Sequence, residues 1–223
     1  AYAGAYFLAG RFTFRDDGIV KKELMGLKQE NIRKGFLIIC WALYDLANQF
    51  FALNVVSLYF VLWLTQEMKA PEIYYSIAFT VSTIFIAILG PVLGAISDLK
   101  RSHRRFLIYL TLVSIVFTIL IGSSVNVFIG LLFFAIANFG CQTATIFYNT
   151  LMMGITPKDK AGLISGVGKM FGYCGAILAL YFIRPIVLKE GYRATFLPTG
   201  LLFLLFSLPC LFFVKGKTRE DSI

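Results

Sequence analysis

Residues 73–97 read IYYSIAFTVSTIFIAILGPVLGAIS, which is 25 consecutive residues without a charged side chain. An apolar run of about 20 residues or more has the length that crosses a hydrocarbon core of roughly 30 Å as a helix. The segment therefore predicts a transmembrane helix.

The same pattern recurs along most of the chain. Further membrane-spanning helices are predicted at 36–64, 106–123, 127–154, 162–188 and 194–214. Because most connections are short, consecutive helices must run antiparallel beside one another, and no separate soluble domain fits between them. The sequence predicts an all-α membrane protein, a bundle of six transmembrane helices in a lipid bilayer.

The composition and charge distribution argue against a soluble protein and against a nucleic-acid-binding protein. Hydrophobic residues make up 58% of the chain and its mean hydropathy is +0.78, more apolar surface than one soluble core of this size can bury. The net charge of +9 does not indicate nucleic-acid binding, because the Lys and Arg residues lie in short segments between apolar runs. Their positions indicate membrane topology instead.

The distribution of basic residues predicts the orientation. Sixteen of the 21 Lys and Arg residues lie on one predicted side of the membrane and four on the other. The positive-inside rule then places both termini in the cytoplasm. We expect a cytoplasmic leader at 1–35, the bundle at 36–214, and a cytoplasmic tail or the start of a linker at 215–223. A plasma or inner membrane is the default location, with a vacuolar-type membrane as the alternative.

The sequence offers little for catalysis or metal binding. All four cysteines fall inside apolar segments without CxxC or Cys/His spacing, and the single histidine, His103, lies in a basic loop where solvation is the simplest expectation. A nucleophile–base pair, suitably spaced acids and a Walker-type loop are all lacking. We expect a protein that is not an enzyme and needs neither a cofactor nor a metal.

The first helix carries the most informative motif, WALYDLANQ at 41–49. Asp45 and Asn48 are three residues apart, hence on one helical face. Counted at 1.5 Å per residue, Asp45 lies about 13 Å into the membrane and Lys169, on the fifth helix, about 12 Å from the same side. An ion pair between them is geometrically possible, and an ionisable residue at this depth must face protein or water. Snorkelling of Lys169 to the interface is the alternative.

Polar and small residues mark the fourth and fifth helices. The hydrogen-bonding groups of the fourth helix serve either as interhelical contacts or as a cavity lining, and they are Asn138, Gln142, Thr143, Thr145, Tyr148 and Asn149. On the fifth helix, the small-xxx-small spacing of Gly168, Gly172 and Ala176 predicts a face buried against a neighbour.

A third motif connects the second and third helices. Gly94-x-x-x-Asp98 is followed by Arg104 and Arg105. Gly94 permits close helix contact, Asp98 can cap or pair with a neighbouring helix, and the arginines can hold cytoplasmic carboxylates. The loop therefore predicts a cytoplasmic latch that biases a two-state transporter.

This loop, in this place, resembles the loop motif of the major facilitator superfamily, although it lacks the glycine that the superfamily places after the acid. The first-helix motif, with FYNTL at 147–151 and the glycines from Gly166 to Gly172, resembles the branch of the autophagy-related vacuolar amino-acid effluxers and their bacterial relatives. The resemblance covers about 36–214. It implies two six-helix halves that rock around a substrate, of which this chain provides the N-terminal one.

The resulting hypothesis is secondary transport of a small polar solute by alternating access, with amino acids as the class that the resemblance implies. The residues expected near the pathway are Asp45, Asn48, Tyr148, Asn149 and Lys169, and the expected gating loop comprises Gly94, Asp98, Arg104 and Arg105. The missing half would come from the same gene, a separate chain or a second copy. The alternative is a non-transporting scaffold or assembly subunit, whose polar residues are interhelical hydrogen bonds only.

Overall fold

The computed structural model describes residues 5–156 and 158–214. Its contacts divide the chain into two units, Ala1–Leu37 and Ile38–Ile223. The described part of the first unit is helical, with Lys34 and Glu30 forming an exposed ion pair at 2.7 Å, one helical turn apart. The second unit contains the packed bundle.

Seven α-helices make up most of the described chain. They are α1 (Ala5–Phe51), α2 (Tyr59–Leu62), α3 (Ile73–Lys100), α4 (His103–Ser123), α5 (Val127–Ile155), α6 (Ala161–Glu190) and α7 (Phe196–Phe213). Two π-helical segments, Ala52–Leu58 and Trp63–Glu67, flank α2.

Within 5–156 and 158–214, six helical stretches are long and apolar enough to cross a membrane, which confirms the predicted fold class. They are Leu24–Glu67, Ile73–Lys100, His103–Ser123, Val127–Ile155, Ala161–Glu190 and Arg193–Phe213. We refer to them as spans 1 to 6.

The helix that contains the first predicted span begins well before residue 36. Helix α1 begins at Ala5 and runs through the expected boundary between leader and bundle. Residues 21–34 carry many charges, which hydropathy penalises, but most of them are Lys, Glu, Leu and Gln, which are good helix formers. The cytoplasmic location of residues 1–35 stays a prediction, and the tail at 215–223 lies outside the described residues.

Span 1 is irregular in its second half. Its π-helical segments place Asn54 where its Nδ2 donates to Thr199 Oγ1 of α7 at 3.1 Å, and the carbonyl of Val56 accepts from the Tyr75 hydroxyl at 2.6 Å. Backbone groups left free by a π-helix need such partners in a membrane protein. These bonds hold span 1 to spans 2 and 6.

Helix α4 packs most extensively against α5 and also contacts α7. Glycines allow the close approach. A Cβ added at Gly140 of α5 would lie 2.9 Å from the carbonyl oxygen of Leu110, and one added at Gly200 of α7 would lie 2.6 Å from Ile119 Cγ1. The core between these helices is rich in aromatic rings, among them Phe60, Phe134 and Phe196.

Helix α3 ends in a left-handed turn that predicts a stabilising substitution. Arg101 has φ 46 and ψ 44, its N–H donates to Asp98 O, and the N–H of Ser102 donates to Ser97 O. This is the Schellman pattern, in which glycine is preferred at the position of Arg101. Arg101→Gly should therefore raise the free energy of unfolding by about 1 kcal/mol, by removing the left-handed strain. Thermal unfolding of the purified protein in detergent measures the effect.

The neighbouring Lys100 provides the matched control for that substitution. It still belongs to the helix, so Lys100→Gly should lower the unfolding temperature, because glycine weakens a helix interior by about 0.5–1 kcal/mol. Equal shifts in both variants would contradict a conformational origin. The major facilitator loop motif has a glycine after the acid, which this sequence lacks after Asp98. A glycine would suit the left-handed backbone that Arg101 adopts.

Candidate functional site

The structure brings two of the predicted site residues together. Lys169 Nζ of α6 lies 3.2 Å from Asp45 Oδ2 of α1 and 3.5 Å from Oδ1. The two side chains differ in exposure: 5% for Asp45 and 65% for Lys169. The pair is therefore a buried carboxylate whose cationic partner reaches it from the open surface of α6.

Glycines on α6 make this approach possible. A Cβ added at Gly175 would lie 2.5 Å from the carbonyl oxygen of Leu46, and one added at Gly168 would lie 2.7 Å from the ring of Trp41. A Cβ at Gly172 would lie 3.6 Å from Asp45 Cγ. The close-packing face predicted for the fifth helix is thus confirmed for Gly168 and Gly172, and it continues through Gly175.

An aromatic stack lies beside the ion pair. The ring of Tyr148, on α5, lies between those of Trp41 and Tyr44, with centroid distances of 4.5 and 4.8 Å. Trp41 Nε1 donates to the Tyr148 carbonyl at 3.1 Å, and the Tyr44 hydroxyl bonds Thr111 at 2.7 Å. The Tyr148 hydroxyl is buried and has no hydrogen-bond partner among the described residues. A Cβ added at Gly168, the residue before Lys169, would lie 3.5 Å from this hydroxyl, so Tyr148 provides an unused polar group next to α6.

The other predicted pathway residues lie apart from the pair. Asn48 is half-buried, and its Oδ1 accepts from the Cys141 thiol at 2.8 Å. Asn149 is exposed, as is Gln142 two turns earlier on α5. Of the remaining polar groups on α5, Asn138 donates to Ser82 of α3 at 2.7 Å and thereby joins two helices. Roles for Asn48 and Asn149 in a pathway stay predictions.

The predicted gating loop is only partly free to act as a latch. A Cβ added at Gly94 would meet no described atom within 4 Å, and the Asp98 side chain is 72% exposed. Arg105 is exposed. Arg104 is engaged, since its guanidinium donates to two carbonyl groups at the end of α7. The gating role of these four residues stays a prediction.

The expectation of a solvated His103 is wrong. Its ring is partly buried, Nδ1 bonds the buried Ser97 hydroxyl at 2.8 Å, and Nε2 lies 3.4 Å from Asp98. Its ring centroid is 6.4 Å from that of Phe147. His103 therefore connects the end of α3 to the beginning of α4.

Two residues of the site were not singled out from the sequence, although they lie in the quoted first-helix motif. Trp41 is four residues before Asp45, one helical turn away on the same face, and Tyr44 is four residues before Asn48. This spacing was the available signal. It could not show that both rings stack on Tyr148, because that contact joins residues far apart in the sequence.

The arrangement is suited to exchanging one cation for another. A carboxylate in a poorly solvated site needs a counter-charge, and removing that charge costs free energy. Here the counter-charge is the Lys169 ammonium, at the tip of a flexible and largely exposed side chain. The Lys169 side chain can therefore leave Asp45 without unpacking the helices.

Comparison with known proteins is consistent with this architecture. The family model described as Major Facilitator Superfamily matches residues 46–222, a range that begins immediately after Asp45. An uncharacterized protein of Aquifex aeolicus (strain VF5) is 29% identical over 195 residues, which cover 86% of this chain and 49% of that protein. The "Uncharacterized MFS-type transporter YxiO" of Bacillus subtilis (strain 168) is 24% identical over 204 residues, 82% of this chain and 46% of that protein.

A solved structure shares the fold. It is the inward-facing, unoccupied crystal structure of a bacterial homolog to the human lysosomal transporter Spinster, with a TM-score of 0.59 and 14% identity, covering 86% of this chain and 47% of that one. The chain spans about half the length of the proteins that it matches. The family model matches most of the chain, and six helices in the described part of the chain are long and apolar enough to cross a membrane. The chain is therefore an integral membrane protein that belongs to the major facilitator superfamily.

Proposed function

We propose that this chain is the N-terminal half of a secondary transporter that moves a small polar solute by alternating access. The observation that carries the proposal is the pair formed by the buried Asp45 and the exposed Lys169. An ionisable group buried in a membrane-spanning helix is costly to retain and marks a pathway by default. The superfamily membership supports the same conclusion.

The charges of the pair favour a solute that carries an ammonium group, a carboxylate group or both. A cationic group on the solute would replace Lys169 at Asp45, and the released lysine could then hold an anionic group. Amino acids carry both charges, and they are the class implied by the resemblance to the vacuolar effluxers. We propose them as the first solutes to test, with Asp45 as the proton or cation handle.

The second half would complete the site. In this fold family, substrate binds between two six-helix halves, and the chain aligns with about half of each protein that it matches. Arg105 is exposed and would contact such a half across the cytoplasmic face, and the exposed Asp98 would do so on leaving His103 Nε2, which lies 3.4 Å away. Arg104 is engaged elsewhere, which moves the proposed gating contact onto those two residues.

Solute counterflow tests the proposal. The full-length gene product that contains this chain is reconstituted into liposomes loaded with unlabelled amino acids, and entry of labelled alanine, glutamate or arginine is followed. We expect saturable entry that is accelerated by internal solute, because exchange is characteristic of alternating access. Empty liposomes provide the background.

The scaffold alternative predicts a different result. A protein that only assembles with partners should copurify as a stable complex, bind none of the solutes and leave counterflow at the background level. The interhelical bonds of Asn54 and Asn138 are compatible with that role. A scaffold has no need for an exposed Lys169 ammonium paired with a buried Asp45 carboxylate. We therefore prefer the transporter to the scaffold.

A further inference from the structure

Two arginines each stand at the beginning of one helix and bind the carbonyl groups at the end of another. Arg104, in the first turn of α4, donates from Nε to Leu211 O at 2.9 Å and from Nη2 to Phe212 O at 3.0 Å. These carbonyls belong to the last turn of α7. The contact ties the start of span 3 to the end of span 6.

The opposite end of the same helix pair repeats this arrangement. Arg193, three residues before α7, donates from Nε to Gly122 O at 2.8 Å and from Nη2 to Ser124 O, at the end of α4. Each helix thus begins with an arginine that binds the end of its antiparallel neighbour. Between these ends the helices stay in contact at Gly200, whose added Cβ would lie 2.6 Å from Ile119.

The chemistry of helix ends explains why arginine suits these positions. The last carbonyl groups of a helix have no partner within that helix, and the helix dipole concentrates partial negative charge there. A guanidinium is planar and donates in two directions, so it can satisfy two successive carbonyls. Close to the apolar membrane core, water cannot replace these bonds efficiently.

Span 1 holds one of the two arginines in place. Glu67 Oε1 accepts from the backbone N–H groups of Tyr192, at 2.5 Å, and Arg193, at 3.3 Å. The loop reaches this position because Gly191 adopts φ +84, and a Cβ at Gly191 would lie 2.9 Å from the same carboxylate oxygen. The end of span 1 therefore fixes the backbone from which Arg193 reaches α4.

We infer that Arg104 and Arg193 form a reciprocal clamp that makes α4 and α7 one rigid pair within the bundle. The clamp binds both ends of the pair and involves neither Asp45 nor Lys169, which lie on α1 and α6. It follows from the hydrogen bonds that join spans 1, 3 and 6, and it does not depend on the proposed transport function. It also gives Arg104 a structural role, in place of the predicted binding of cytoplasmic carboxylates in the gating loop.

Hydrogen exchange of the full-length protein in nanodiscs tests the clamp, because loss of one arginine should loosen one helix end only. In Arg104→Gln, amides in the last turn of α7 should exchange at least about fivefold faster, while those at the end of α4 are unchanged. In Arg193→Gln, the end of α4 should exchange faster and the end of α7 should not.

Two exposed cations serve as matched controls. Lys100→Gln and Lys189→Gln each remove a positive charge four residues before Arg104 or Arg193 and should leave exchange at both helix ends unchanged. Faster exchange throughout all six spans, or no change at either end, would overturn the inference. If the glutamine variants cannot be purified, Arg104→Lys and Arg193→Lys replace them, since lysine keeps the charge without the two diverging donors, and the same end-specific pattern is expected.

Discussion

Replacing Asp45 with asparagine should lower the solute counterflow rate by about 100-fold or more, while the protein still folds and inserts. The substitution keeps the size of the side chain and removes the charge that pairs with Lys169 and, in the proposed mechanism, with a cationic group of the solute. Loss of a charge-assisted contact to the solute, about 3 kcal/mol when it is poorly solvated, corresponds to a rate effect of this size. Counterflow in liposomes and the unfolding temperature in detergent are measured together.

The control variants show whether the loss of counterflow is specific to the Asp45 carboxylate or follows from removing any acidic side chain. Asp159→Asn removes an exposed acid in the connection between α5 and α6 and should leave counterflow unchanged. Lys169→Gln leaves the Asp45 carboxylate buried without its partner, so it should lower stability more than Asp45→Asn does. The double variant Asp45→Asn/Lys169→Gln should recover that stability but not transport. Normal counterflow by Asp45→Asn would remove this residue from the mechanism.

A single methyl group at Gly175 should have the largest effect on stability. The Cβ of alanine would lie 2.5 Å from the carbonyl oxygen of Leu46 and 2.9 Å from its Cα, and both atoms belong to the backbone of α1. Backbone cannot rotate away, so α6 must separate from α1. We expect Gly175→Ala to lower the free energy of unfolding by about 3 kcal/mol or more, or to prevent accumulation of the protein. Unfolding temperature and expression level report the effect.

The same helix contains a control for this substitution. A Cβ added at Gly166 would meet no described atom within 4 Å, and this residue is exposed. Gly166→Ala should therefore be neutral or slightly stabilising, because alanine is the better helix former. Because Gly175 and Gly166 are changed in the same way on one helix, equal destabilisation by both variants would show that helix contact is not the cause.

Much of the site could be predicted because it follows from regular helix geometry. Apolar run lengths identified six spans, and counting the rise per residue from the same side of the membrane placed Asp45 and Lys169 at similar depth. The small-residue spacing on α6 then indicated which face meets a neighbour. These predictions need only local periodicity and the alternation of helix direction.

The remainder depends on contacts between distant residues, which a single sequence does not record. The stack on Tyr148 joins positions separated by more than 100 residues. The bond between Glu67 and the backbone before α7 joins two connections on the same side of the bundle. His103 looked like a loop residue because its neighbours are basic, yet the Ser97 hydroxyl and Phe147 draw its ring into the bundle. The early start of α1 was missed because hydropathy does not detect charged helices.

In the proposed exchange at Asp45, the covalent attachment of Lys169 sets an affinity scale for the solute. Its ammonium group is a competitor that cannot diffuse away, and a short flexible tether gives such a group an effective concentration of about millimolar or above at Asp45. A solute that displaces it must be present at comparable concentration or make additional contacts. The half-saturation constant for transport should therefore lie nearer the abundance of common metabolites than that of trace signalling molecules, and release should be fast because the lysine returns to its carboxylate.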